Sequence, residues 1–152
     1  MISCLGPFER VKEWNYLALA NNMLGIVSLN RGNAPFALDY YIKAISICQE
    51  NALADIEWMV HMNLGSLYLN IEEYQKALNH IKNCRTYLNA HKSMPGYIEN
   101  ITTVYLGMAR AFLKLDNISK VIEIVNQIKK ECMPNLNDAD KVVLYCFFAR
   151  MH

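Results

Sequence analysis

The sequence lacks the short motifs on which most catalytic and metal sites are built. It contains no G-x-S-x-G nucleophile turn, no H-E-x-x-H zinc motif and no glycine-rich phosphate loop. His61 and Cys84 lie on partner helices and are the one His–Cys pair that could meet, but two ligands fall short of the four of a structural zinc site. A histidine packed in the core is favoured at position 61. Adjacent Glu72 and Glu73 diverge on a helix and suit its first turn. The sequence therefore predicts no catalysis, no metal and no cofactor.

An excess of charge of one sign and a disulfide framework are also missing. Lysine and arginine number 15 against 14 aspartates and glutamates, so no basic field is available for nucleic acid. The five cysteines are odd in number and form no C-x-x-C, which predicts reduced, packed thiols. No secretory signal is visible, and no apolar run reaches the ~20 residues of a membrane span. We expect a cytoplasmic protein that binds neither nucleic acid nor membrane.

What the sequence does contain is the apolar periodicity of helices. Apolar residues recur at steps of three and four, and short polar or Gly/Pro breaks divide them. This pattern predicts an all-α protein of about seven helices with no strand. The expected hairpins cover about 9–50, 53–91 and 97–131, followed by a final unpaired helix over 139–152. Residues 1–8 contain a Gly-Pro break and are predicted to be irregular.

Self-comparison reveals a repeat centred on the stretch from Trp58 to His91. Two dipeptides of the first hairpin return 40 positions later: Leu24-Gly25 as Leu64-Gly65, and Ala37-Leu38 as Ala77-Leu78. The small residues continue at the steps 40, 44 and 40, in the order Gly25, Gly65, Ala109, Ala149. Only glycine or alanine lets two helix axes approach most closely. The spacing therefore predicts stacked helical hairpins.

These residues resemble the tetratricopeptide repeat (TPR) family over about 14–152. The first repeat keeps Leu24, Gly25, Gly32, Ala37, Tyr41 and Ala44, and the second keeps Leu64, Gly65, Tyr68, Tyr74 and Ala77. Asn21 in the first repeat and His61 in the second stand where the family signature has its first aromatic residue. The repeat length of 40–44 residues exceeds the 34 residues usual for the family. The resemblance implies a right-handed superhelix of antiparallel hairpins. The lengthened repeats look like the sensory TPR arrays of bacterial signalling proteins.

The resemblance also implies a concave groove, lined by the first helix of each hairpin, that binds a protein or peptide. Carried over residue by residue, the groove positions are Asn22, Ile26, Leu29, Met59, Met62, Ser66, Leu69, Leu106, Arg110, Leu113 and Arg150. Arg110 and Arg150 are equivalent positions, expected about 10 Å apart. They could bind a carboxylate in bidentate fashion, unless they pair with nearby acids and a neighbouring chain packs the apolar residues.

Two roles follow as expectations. One is a non-catalytic binding module, the regulatory part of a larger bacterial signalling protein of the diguanylate cyclase or transcription regulator type. The alternative is a self-associating scaffold with no soluble ligand. The sequence breaks off in mid-repeat with an apolar final helix, which predicts a fragment and favours a homodimer through apolar terminal helices.

Overall fold

Helices account for nearly all of residues 7–150, which the computed structural model describes apart from the side chains at 7–9, 11 and 143. Over that range the α-helices are α1 Pro7–Asn30, α2 Ala34–Glu50, α3 Ala54–Asn70, α4 Tyr74–Ala90, α5 Tyr97–Lys114, α6 Ile118–Gln127 and α7 Asp138–Arg150. A π-helical turn, Ile128–Cys132, and a 3-10 turn, Met133–Asn135, continue α6. Because the same residues contain no strand, the all-α prediction is confirmed. The superhelical arrangement stays a prediction.

Helix α1 begins at Pro7, so the last two residues of the segment expected to be irregular are helical. Proline is favoured in the first turn of a helix because the N–H that it lacks has no partner there. The rest of that segment lies outside the described residues. The chain divides into two compact units, 1–87 and 88–152.

The same turn follows α1, α3 and α5. After α1, the N–H groups of residues 31, 32 and 33 donate to the carbonyl oxygens of 27, 29 and 28. Equivalent bonds are made by residues 71–73 and by residues 115–117. The middle residue is left-handed each time, with φ of 77° at Gly32, 64° at Glu72 and 56° at Asp116. These positions are 40 and 44 residues apart, the steps of the small residues in the sequence.

The two hairpins of the first unit are closed by glycines that admit no side chain. A Cβ on Gly25 would lie 2.4 Å from Cε1 of Tyr41, and a Cβ on Gly65 would lie 2.7 Å from Cγ1 of Ile81. Both partners are buried. In each hairpin the glycine contacts a residue 16 positions later in the chain. The contact in the second hairpin therefore corresponds to that in the first, shifted by 40 residues.

The core of the first unit surrounds these crossings. Its fully buried residues include Ala18, Ala37, Tyr41, Ala44, Cys48, Val60 and Leu67. Three of the four described cysteines, Cys48, Cys84 and Cys132, are buried, and all four are free thiols. Every buried side-chain nitrogen or oxygen within the described part of the chain has a hydrogen-bond partner. None of the helices over 7–150 combines the length and apolarity needed to cross a membrane.

We predict that Gly25→Ala lowers the free energy of unfolding by about 1–2 kcal/mol. The added methyl group overlaps the buried Tyr41 ring, and overpacking of ~1–3 kcal/mol outweighs the better helix propensity of alanine. Urea denaturation measures the change. In the Tyr41→Leu background the same substitution should cost less, because leucine leaves room for the methyl group; additive costs would disprove the contact.

A second prediction concerns Glu72, the residue with left-handed backbone conformation in the turn after α3. Glu72→Gly should raise the free energy of unfolding by about 0.5–1 kcal/mol, because glycine adopts positive φ without the steric cost that a Cβ carries. Lys82→Gly, at an exposed position inside α4, is the control and should lower it by about 1 kcal/mol. Equal losses from both substitutions in urea denaturation would contradict the strain at position 72.

Candidate binding surfaces

The predicted groove residues of the first unit are mostly engaged in packing. Asn22 and Leu69 are each only 6% exposed. Three others are partly buried against the core: Ile26, Leu29 and Met59. Met62 is half-buried and Ser66 is exposed. These positions therefore offer little continuous surface to a ligand.

Asn22 has a structural partner in the next hairpin. Nδ2 of Asn63, on α3, donates to Oδ1 of Asn22, on α1, at 2.8 Å. A buried amide has to be hydrogen-bonded, because an unpaired one costs ~1–3 kcal/mol. The pair therefore fixes how the first helices of the two hairpins meet, and Asn22 is already committed to that contact.

In the second unit the predicted positions border two different cavities. Leu106 lines one of about 150 Å³ with Leu136 and Leu144. Leu113 lines another of about 470 Å³ with Phe148 and residues of α6. Arg110 and Arg150 are both exposed. A single groove ending in the two arginines remains a prediction.

A pair of histidines joins α3 to α4. Nδ1 of His61 lies 2.8 Å from Nδ1 of His80, and the ring of Tyr68 stacks on His80 with centroids 5.4 Å apart. His61 is 8% exposed, which confirms that it belongs to the core. The thiol of Cys84, which was considered as a partner of His61, donates to the carbonyl oxygen of Trp58 at 3.2 Å. No sequence pattern points to His80 as the partner of His61.

The contact between the two Nδ1 atoms limits the charge that the pair can carry. One nitrogen has to donate and the other has to accept, so the two rings cannot both be protonated while the bond exists. Burial lowers the pKa of His61, although Glu57, 3.5 Å away, acts in the opposite direction. Burial, followed by the charge of His61, lowers the pKa of His80 to about 4. Both rings are therefore neutral near pH 7.

Beside the histidines, residues of α2, α3 and α4 line an open cavity of about 390 Å³ at the surface. It is lined by Gln49, Ala54, Glu57, Trp58, His61, Asn83, Thr86 and Tyr87. Trp58 and Tyr87 are stacked, with centroids 5.6 Å apart and planes 10° apart. The hydroxyl of Tyr87 donates to Asp55, and burial together with that bond raises the pKa of Tyr87 to about 12. The aromatic wall is thus held in place by a carboxylate that does not line the cavity.

A second surface is the outer face of α1, defined by Tyr16, Leu17, Met23, Leu24 and Val27. Each of these side chains is more than 40% exposed, and Tyr16 reaches 70%. They follow one another at steps of one, six, one and three, and at 100° per residue this places them on one broad side of a helix. Ala18, Asn22 and Gly25 are buried on the other side. Helix α1 therefore has apolar residues both against the core and facing outward.

Glu131 forms the main polar cluster of the second unit. It lies in the π-helical turn and accepts hydrogen bonds from the hydroxyls of Tyr97 and Tyr105 and from the amide of Gln127. Burial opposes ionisation, but these donors lower the pKa of its carboxyl group. Because three donors already bind this carboxylate, we interpret the cluster as structural. Within residues 7–150, no group of three or more His, Cys, Asp or Glu side chains could hold a metal ion.

No family model, no curated protein and no solved structure matches this chain. The resemblance to the TPR family thus stays a prediction made from the residues.

From the histidine pair we predict that the free energy of unfolding decreases as the pH is lowered. In the unfolded chain His80 has its ordinary pKa of 6.5, whereas in the folded chain its pKa is about 4. Between these two pH values the unfolded chain therefore binds more protons than the folded chain. The free energy of unfolding should drop as pH falls from about 6.5 to about 4, by ~2 kcal/mol after allowance for partial exposure. Urea denaturation across this range measures the slope.

His80→Phe is the matched control, because phenylalanine keeps a ring against Tyr68 and removes the ionisable group. The variant loses the bond to His61 and should be less stable at pH 7, yet its stability should change less between pH 6.5 and 4. An unchanged slope would assign the acid sensitivity to other groups.

Proposed function

We propose that this chain is a non-catalytic module of helical hairpins that binds another protein, and that the outer face of α1 contacts the partner. The observation that carries the proposal is the apolar character of α1 on both sides. A helix at a solvated surface normally turns a polar side outward, whereas a helix that is apolar all round is buried in the assembly where it functions.

Large apolar and aromatic side chains such as these contribute most to the binding free energy when a partner buries them. Full burial of a large apolar side chain contributes about 1.5–3 kcal/mol, so a side chain that is about half exposed still has ~1 kcal/mol to contribute. Tyr16, at 70% exposure, combines apolar area with a hydroxyl that can bond at the edge of an interface. A few such side chains commonly supply most of the binding energy of an interface between proteins.

The finer parts of the proposal rest on the sequence. Three equal turns at steps of 40 and 44 support the reading of the hairpins as repeats, and TPR arrays commonly bind peptides. The resemblance to sensory arrays supports a regulatory role in a larger bacterial signalling protein. The scaffold alternative uses the same face, since two copies could cover each other's α1.

A photo-crosslinking amino acid at position 16 tests the surface. In cells that contain the natural partner, it should give a defined adduct with another polypeptide, whereas the same group at Ile42, an exposed apolar position on α2, should not. Met23→Glu with Leu24→Glu should abolish the adduct, because covering two buried carboxylates is unfavourable. Circular dichroism should show unchanged helicity.

The other outcomes are equally specific. An adduct of twice the chain mass, with light scattering that shows a concentration-dependent dimer, would select the scaffold role. An adduct that survives both glutamates would exclude the outer face of α1. If Arg110→Ala with Arg150→Ala removed it instead, the partner would lie in the groove predicted from the sequence.

A further inference from the structure

We infer that the cavity between α2, α3 and α4 binds a guanidinium group, such as the arginine side chain of a peptide. The cavity lies wholly within the first unit. It shares no residue with the outer face of α1, so the inference stands apart from the proposed function.

The aromatic part of the cavity lining suits one flat face of a guanidinium group. Trp58 and Tyr87 are stacked and line one part of the cavity, and aromatic faces attract cations through their negative electrostatic potential. Guanidinium is planar and weakly hydrated, so it lies flat on such rings more readily than an ammonium group does. The volume of about 390 Å³ is within the range of small-ligand sites.

Glu57 supplies the negative charge. Its side chain is 27% exposed, and its Oε1 accepts from Nε2 of Gln49 at 3.0 Å and lies 3.5 Å from Nε2 of His61. Gln49 is uncharged, and burial lowers the pKa of His61, so neither partner neutralises the carboxylate near pH 7. No lysine or arginine belongs to the lining of this cavity. A cation entering it would thus form a charge-assisted bond with Glu57.

The remaining lining residues provide oxygen acceptors for several donors. Guanidinium carries five N–H groups in a fixed plane and accepts nothing. Gln49, Asn83 and Thr86 each have a side-chain oxygen that can accept a hydrogen bond. A site with one carboxylate, several neutral oxygens and an aromatic wall thus suits guanidinium better than a metal ion or an anion.

The full chain, labelled with ¹⁵N, should be titrated with N-acetyl-arginine methylamide and observed by NMR. Chemical shifts should change at the Trp58 indole N–H and at the side-chain amides of Gln49 and Asn83. The matching citrulline compound has nearly the same shape without the charge and should bind at least tenfold more weakly. The lysine compound should also bind more weakly, because ammonium does not stack flat.

Glu57→Gln should weaken arginine binding at least tenfold, since glutamine keeps the shape and the acceptor but loses the charge. Glu50→Gln, on the exposed end of α2 outside the cavity, is the control and should bind as the parent chain does. Trp58→Leu is a second variant that removes the aromatic wall, and it should also weaken binding. Circular dichroism and thermal melting establish that each variant is folded.

The inference is overturned by equal binding of the arginine and citrulline compounds, by tighter binding of the lysine compound, or by full affinity in folded Glu57→Gln. Shift changes confined to residues outside the cavity would also exclude the site. These results leave the proposed function untouched, because the crosslinking test addresses a different surface.

Discussion

The close helix crossings at Gly25 and Gly65 are the constraint on which the first unit depends. Each glycine lies against a buried side chain 16 residues later, and neither position has room for a Cβ. Once that contact is fixed, the helical period decides which positions point inward along both helices. The turns obey the same constraint, because the left-handed residues Gly32 and Glu72 reverse the chain at equal distances from the crossings. At position 72 a glutamate accepts a steric cost that Gly32 avoids, which indicates that the turn is imposed by the hairpin and not by local preference.

This constraint also explains why α1 has an apolar face turned outward. With its glycine side facing α2, α1 has to turn Tyr16, Met23 and Val27 outward, so its second apolar side cannot be satisfied within the hairpin. In the second hairpin the crossing at Gly65 is several turns away from the N-terminal end of α3. Glu57 and Trp58, about two turns before Gly65 on α3, line the cavity there. The apolar face thus belongs to the hairpin closed at Gly25, and the cavity is lined mainly by the hairpin closed at Gly65.

The sequence predicted the helices and their order well, because apolar steps of three and four and Gly/Pro breaks are local signals. Gly25 and Gly65 were identified correctly as crossing points since both lie in a copied dipeptide. The side-chain partners were harder. Cys84 was considered as a partner of His61, but His80, one turn earlier on the same face of α4, lies against it. Spacing alone does not define how far two partner helices are shifted along their axes. Asn22 was assigned to a groove, yet it is hydrogen-bonded to Asn63, 41 residues later in the chain. No local sequence pattern predicts that hydrogen bond. The left-handed Glu72 was interpreted as part of a helix start, because glutamate gives no sign of positive φ.

The histidine pair and the cavity are linked through His61, which takes part in both. The bond to His80 needs a lone pair, and burial of the two rings disfavours the charged form, so the imidazole beside Glu57 stays neutral near pH 7. A charged imidazole at 3.5 Å would compete with any other cation for that carboxylate. Linkage requires the effect to be mutual, so a guanidinium group bound to Glu57 would make protonation of His61 still less favourable. A core contact that stabilises the hairpin thereby also keeps the carboxylate of the neighbouring cavity available.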